Sequence, residues 1–128
     1  MRRRFILVGL GLVPSALAFA HPSGPGPHKG EVQDASPGPT LHFEVVLKGS
    51  VISVYLANED GSQVPTAGLT GSATILVNKK KEQVDLVPAG GNLLTGTATL
   101  APGADMRMLV VVTVAGVKQQ ALFTRFGL

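Results

Sequence analysis

MRMLVVVTVAGVKQQALFTRF, residues Met106 to Phe126, decides the class of fold. In its first half Met106, Met108, Val110, Val112 and Val114 take alternate positions, with Arg107, Leu109, Val111 and Thr113 between them. Successive side chains of a strand point to opposite faces, so the two sets lie on opposite sides. Both sets are largely apolar, which predicts a strand with neighbours on either side. Met106 and Met108 are soft thioether donors in principle, but their continuation into Val110 and Val112 reads as core packing. Ala115-Gly116 then offers a tight turn, because Gly takes up positive φ at no steric cost.

Outward from this hairpin the pattern repeats. Strands are predicted at Leu41 to Lys48, Val51 to Ala57, Gly71 to Val77, Glu82 to Val87, Leu93 to Leu100, Met106 to Ala115 and Val117 to Phe126. Gly49-Ser50, Glu59-Asp60-Gly61, Asn78-Lys79-Lys80, Ala89-Gly90-Gly91 and Pro102-Gly103 supply the turns between them. Short β-branched runs punctuated in this way are the pattern of an antiparallel sandwich or barrel. The expected fold is all-β: a single antiparallel, immunoglobulin-like β-sandwich of about seven strands over residues 40–128. The chain has no cysteine, so disulfides and thiolate metal sites are excluded and the core must be apolar.

The first twenty residues read as an export signal. Arg2, Arg3 and Arg4 form a basic start, Phe5 to Phe19 is mostly apolar, and Ala18-Phe19-Ala20 fits the small-x-small cleavage pattern. The apolar run is short for a membrane span and no stop-transfer sequence follows. Residues 1–20 are therefore expected to be a signal peptide cleaved after Ala20, leaving no membrane span; a retained N-terminal anchor is the alternative. Arg2-Arg3-Arg4-Phe5-Ile6-Leu7 loosely resembles a twin-arginine signal but starts right after Met1 without the polar lead-in, which leaves the Sec and Tat routes open. Those three arginines also account for the whole net charge of +3, since eight Lys and Arg then face eight Asp and Glu. A neutral domain offers no broad basic face to phosphates, so nucleic acid is not an expected partner. Lys79-Lys80-Lys81 reads as a solvated hairpin tip.

From His21 to Pro39 the sequence is rich in Pro, Gly and Ser, with Val32 its one sizeable apolar residue. Such a segment buries too little surface to offset its ordering entropy. It is expected to be a flexible arm, docking weakly around Glu31 to Gln33.

Enzymatic readings find little support. No G-x-S-x-G occurs, and Glu59-Asp60 and Glu82/Asp85 fall at turns or on alternating strand faces instead of pairing in a cleft. Histidine is the informative residue type. Cleavage after Ala20 makes His21 the first residue, and its α-amine and ring Nδ1 can chelate one ion. Pro22 lacks a backbone N–H, so the next amide cannot become a ligand. Two nitrogen donors with open positions suit tetragonal Cu(II). His28, in Gly-Pro-His-Lys-Gly, is within reach of His21 along a flexible chain. His42 and Glu44 lie two apart on one strand face, opposite Leu41, Phe43 and Val45; they can share a metal or stand as a solvated pair. The candidate metal ligands are thus His21, His28, His42 and Glu44, with no catalytic residue.

Gly26-Pro27-His28-Lys29-Gly30, Leu41-His42-Phe43-Glu44-Val45-Val46, Tyr55-Leu56-Ala57-Asn58-Glu59-Asp60-Gly61 and Pro88-Ala89-Gly90-Gly91-Asn92-Leu93 together resemble small periplasmic proteins of Gram-negative bacteria with a GPHGG…HxELV…LxDxDGKPV pattern. That pattern is similar to the N-terminal region of the periplasmic adaptor subunits of heavy-metal efflux pumps. The resemblance implies a β-sandwich that handles copper or another transition metal without catalysis. It maps the family's histidines onto His28 and His42, with Lys29 standing where the family usually has glycine. The expectation is a non-enzymatic periplasmic protein binding a transition metal, copper favoured, in homeostasis or resistance, with a metal-efflux component as a possible partner. The alternative is a structural or protein-interaction sandwich with no metal role.

Overall fold

A computed structural model describes residues 25–38 and 40–126. The expected signal peptide and His21 lie outside the described residues. Eight antiparallel strands follow in order: β1 (Glu31–Asp34), β2 (Leu41–Lys48), β3 (Val51–Asn58), β4 (Thr70–Val77), β5 (Lys80–Pro88), β6 (Leu93–Thr97), β7 (Arg107–Val114) and β8 (Val117–Phe123). No helix among the described residues is long and apolar enough to cross a membrane.

Local chemistry sets three hairpins. Gly49, with φ +59°, occupies the first central position between β2 and β3, where a type II′ turn needs positive φ. Asn78 and Lys79 join β4 to β5, and Ala115 and Gly116 join β7 to β8; all four have positive φ, the type I′ pattern whose twist matches that of the flanking strands.

The sheet order is β1-β2-β3-β6-β5-β4-β7-β8. The meander β4-β5-β6 is inserted between β3 and β7, so β3 pairs with β6 and β4 with β7. β5 serves both halves of the molecule, pairing with β4 over most of its length and with β6 through Val87 and Pro88. Gly96 allows the close approach there, since a Cβ at that position would lie 2.6 Å from the Asp85 carbonyl oxygen. The two end strands meet: Ser36 and Gln120 exchange backbone hydrogen bonds of 2.9 and 2.8 Å, Gly38 N–H donates to Gln119 Oε1, and Glu31 accepts from the N–H groups of Thr124 and Arg125. The all-β, antiparallel class is as expected, but its arrangement is one nearly closed eight-stranded sheet instead of two separate layers.

The inward faces fill this flattened barrel. Phe43, Ile52, Val54, Leu56, Ile75, Leu94, Met108, Val110, Val112 and Phe123 are all inaccessible to solvent. Cross-strand pairs such as Phe43–Leu56 and Val45–Val54 are the units of that packing. Met106 and Met108 are core residues, so their thioethers face other side chains and not a site.

The eighth strand, β1, lies inside the segment 21–39 expected to be a flexible arm. Over its described residues 25–38 that segment is paired into the sheet, and the folded unit therefore begins before residue 40. The reason is that β1 is held by backbone pairing to β2 on one side and by the Glu31 carboxylate on the other. Neither signal depends on the apolar burial that composition measures.

Candidate metal site

The register of the first three strands lays out the site. Val32 pairs with Glu44 and Asp34 with His42 across β1 and β2. Glu44 in turn pairs with Tyr55, and His42 with Ala57, across β2 and β3. Phe43 between them is buried in the core, so alternation turns both rows, Val32-Glu44-Tyr55 and Asp34-His42-Ala57, to the outer face.

The loop Pro25 to Gly30 closes over the first row. Gly26 C=O accepts from Lys29 N–H at 2.8 Å, and Gly30 C=O accepts from Gly26 N–H at 3.0 Å. Pro27 presets the turn angle at its second position. Lys29 takes φ +64°, a left-handed conformation that glycine adopts without steric cost. Gly26 has no room for a side chain, because a Cβ would lie 2.5 Å from the Glu44 carboxyl carbon.

This turn aims three donors at one carboxylate. His28 N–H and Gly30 N–H both donate to Glu44 Oε2 at 2.8 Å. The His28 ring Nδ1 lies 2.9 Å from Glu44 Oε1. The Glu44 side chain is only 6% exposed, and charge-assisted hydrogen bonds are what make so deeply covered a carboxylate tolerable. The His28 ring stacks on Tyr55 with centroids 3.6 Å apart and planes 5° from parallel.

The second row is arranged differently. His42 Nδ1 lies 2.7 Å from Asp34 Oδ1, but it is shut off from solvent and makes no hydrogen bond. The Asp34 oxygen is close without being in line with the ring N–H direction.

The expected ligands are thus divided. His28 meets Glu44, His42 meets Asp34, both pairs share one outer face, and His21 lies outside the described residues. Among the described residues no group of three or more His, Cys, Asp or Glu could hold a metal ion. Asp34 and Tyr55 are the residues that sequence reasoning passed over. Tyr55 carried a signal, as the chain's one tyrosine two residues from the position opposite His42; Asp34 carried none, because its strand was read as arm.

The remaining carboxylates do structural work. Asp60 accepts from the Ser62 hydroxyl and N–H, and these bonds, the hydroxyl foremost, hold its pKa below the ordinary value. Glu82 accepts from Leu100 N–H, Thr99 N–H and the Thr99 hydroxyl, and the Leu100 bond is the largest cause of its lowered pKa. Each closes a loop.

Compared with protein-family models, curated proteins and solved structures, the chain matches none.

Proposed function

We propose that this chain is an exported, non-enzymatic periplasmic protein that binds a transition metal, copper in preference, in metal homeostasis or resistance. One observation carries the reading: both described histidines, each beside a carboxylate, occupy adjacent rows on the outer face of β1–β3. Imidazole and carboxylate together suit Cu(II) among the divalent ions. Cleavage after Ala20 would add the amine and ring of His21, and a metal-efflux component is the partner that the resemblance implies.

A Cu(II) titration of the cleaved protein tests this. Adding one residue before His21 should weaken binding sharply by displacing the free amine, whereas His28→Ala or His42→Ala should each cost less. Affinity should fall on acidification, as protons compete for the same nitrogens. A triple His21→Ala, His28→Ala, His42→Ala protein that binds as well as the parent removes the metal reading.

A second reading, a protein-interaction module, draws on a different place. Leu122 is 50% exposed and pairs directly with Leu109 on the outer face of β7 and β8, with the exposed Leu76 nearby on β4. Pairing through a free sheet edge, the usual route for such a module, has less support, since Ser36 after β1 bridges to Gln120 of β8. Sedimentation of the metal-free protein, alone and with candidate partners, separates this reading from the first.

A further inference from the structure

We infer that the tip of the β4–β5 hairpin, with the outer face of β4, β7 and β8 beside it, docks on an anionic phospholipid surface. The inference goes beyond the metal-binding reading and does not depend on it.

Net charge conceals the feature. Beyond residue 20 the chain carries eight Lys and Arg against eight Asp and Glu, but the register gathers four of the cations at one place. Lys79 stands in the β4–β5 turn, and Lys80 lies opposite Val77 at its foot. On the outer face Lys81 pairs with Leu76, and Leu76 pairs on its other side with Arg107. All four cations are exposed. Among the described residues the ion pairs are those of His28 and His42, so none of the four is joined to an acid.

The neighbouring acids are engaged elsewhere. Glu82 is opposite the buried Ile75, so alternation puts it on the other side of β5 from Lys81, where it accepts from the N–H groups of Thr99 and Leu100. Asp105 accepts the Asn78 N–H and offsets one lysine of the tip. On the outer face of β5 itself the nearest acid by register is Asp85, two cross-strand rows from Lys81. The tip and its outer face therefore keep a cationic excess.

Apolar side chains share this face. Leu76 is 45% exposed and Leu122 50%. Leu122 pairs with Leu109, and Leu109 lies diagonal to Leu76 in the register, a spacing that long side chains bridge. The leucines thus run from between Lys81 and Arg107 across to β8.

This mixture decides the partner. Lysine is a compact point charge on a flexible stem, whereas a fixed carboxylate is read best by the planar fork of arginine; three of the four cations are lysines at a projecting turn. Each Lys or Arg held near an anionic bilayer strengthens binding about fivefold. Apolar side chains beside them enter the headgroup boundary, where affinity grows with the apolar area buried. A purely acidic partner would use the lysines and leave the leucines in water; an anionic bilayer takes both.

The test is co-sedimentation of the purified protein with vesicles of phosphatidylglycerol and phosphatidylcholine in equal parts, and with vesicles of phosphatidylcholine alone. Parent and variants share one N-terminus, so the differences between them read the patch and not residues 1–20. The parent should bind the anionic vesicles at least ~tenfold more tightly than the neutral ones, and less tightly as salt rises. Lys79→Gly with Lys80→Gln and Lys81→Gln should weaken that binding about 100-fold, roughly fivefold for each cation; glycine suits position 79 because φ there is +63°. Leu122→Gln, made separately, should weaken it at least ~threefold. All these positions are exposed, and circular dichroism checks each fold. Equal binding to the two kinds of vesicle, or parental affinity in either folded variant, overturns the proposal. Binding to poly-glutamate as tight as to the anionic vesicles overturns it in favour of an acidic protein, and self-association of the protein alone that Leu122→Gln abolishes overturns it in favour of a second copy.

Discussion

The His28 ring lies flat on the ring of Tyr55, 3.6 Å away and 5° from parallel, and this stack seats the Gly-Pro-His-Lys-Gly loop on the sheet. Tyr55 is the chain's single tyrosine and there is no tryptophan, so intrinsic fluorescence reports on this place alone. Cu(II) should quench Tyr55 emission in the parent, and much less in His42→Gln. Releasing the stack by His28→Ala should change the metal-free emission. Identical emission in parent and His28→Ala would show that the stack does not persist in solution.

Glu44→Ala should destabilise the fold by about 2 kcal/mol, the scale for removing a charged acceptor from partly buried donors. The midpoint of urea unfolding measures it. Gly26→Ala should act in the same direction through a different cause, because its methyl group has no space above Glu44. The two changes combined should cost less than their sum, since both release the same loop.

Ala115→Asn should stabilise the β7–β8 hairpin. Ala115 holds φ +52° and is exposed, so the substitution loses no packing and creates the Asn-Gly sequence that a type I′ turn favours. A gain of about 0.5–1 kcal/mol is expected, read as a higher melting temperature.

Acid should loosen the loop after β6 through Glu82. Its folded pKa is lowered, chiefly by the N–H of Leu100 and then by that of Thr99. The contribution to stability is therefore complete above the ordinary glutamate range, ~4.3, and is lost as pH falls through the lower folded value. The urea midpoint of Glu82→Gln should accordingly vary less than the parent's below pH ~4.3, with the two curves parallel above it.

The outcome for the fold follows from what each residue type signals. Alternation in Leu41 to Val45 and Met106 to Val114 placed β2 and β7 to within a residue or two, because core strands are selected by burial and burial has a period of two. The same logic failed for Glu31–Asp34. That strand buries little, lies among prolines and glycines, and is held by backbone bonds that composition does not record. The partnership of β3 with β6 was equally hidden, since crossing connections leave no mark on local pattern. At the candidate site, period two correctly put His42 and Glu44 on one face. Their separation into different pairs depended on the β1 register and on the turn at Gly26-Pro27, neither of which can be read without the strand.

The short strand β1 has a further consequence, for solubility. A chain begun at Thr40 would retain every strand that local pattern predicts, yet would bare the backbone of β2 along one side and lose the Ser36 bridge to Gln120 of β8. Unpaired edges of this kind recruit strands from neighbouring molecules. Four residues, Glu31 to Asp34, thus cover an edge of β2 that would otherwise be open to pairing with neighbouring molecules.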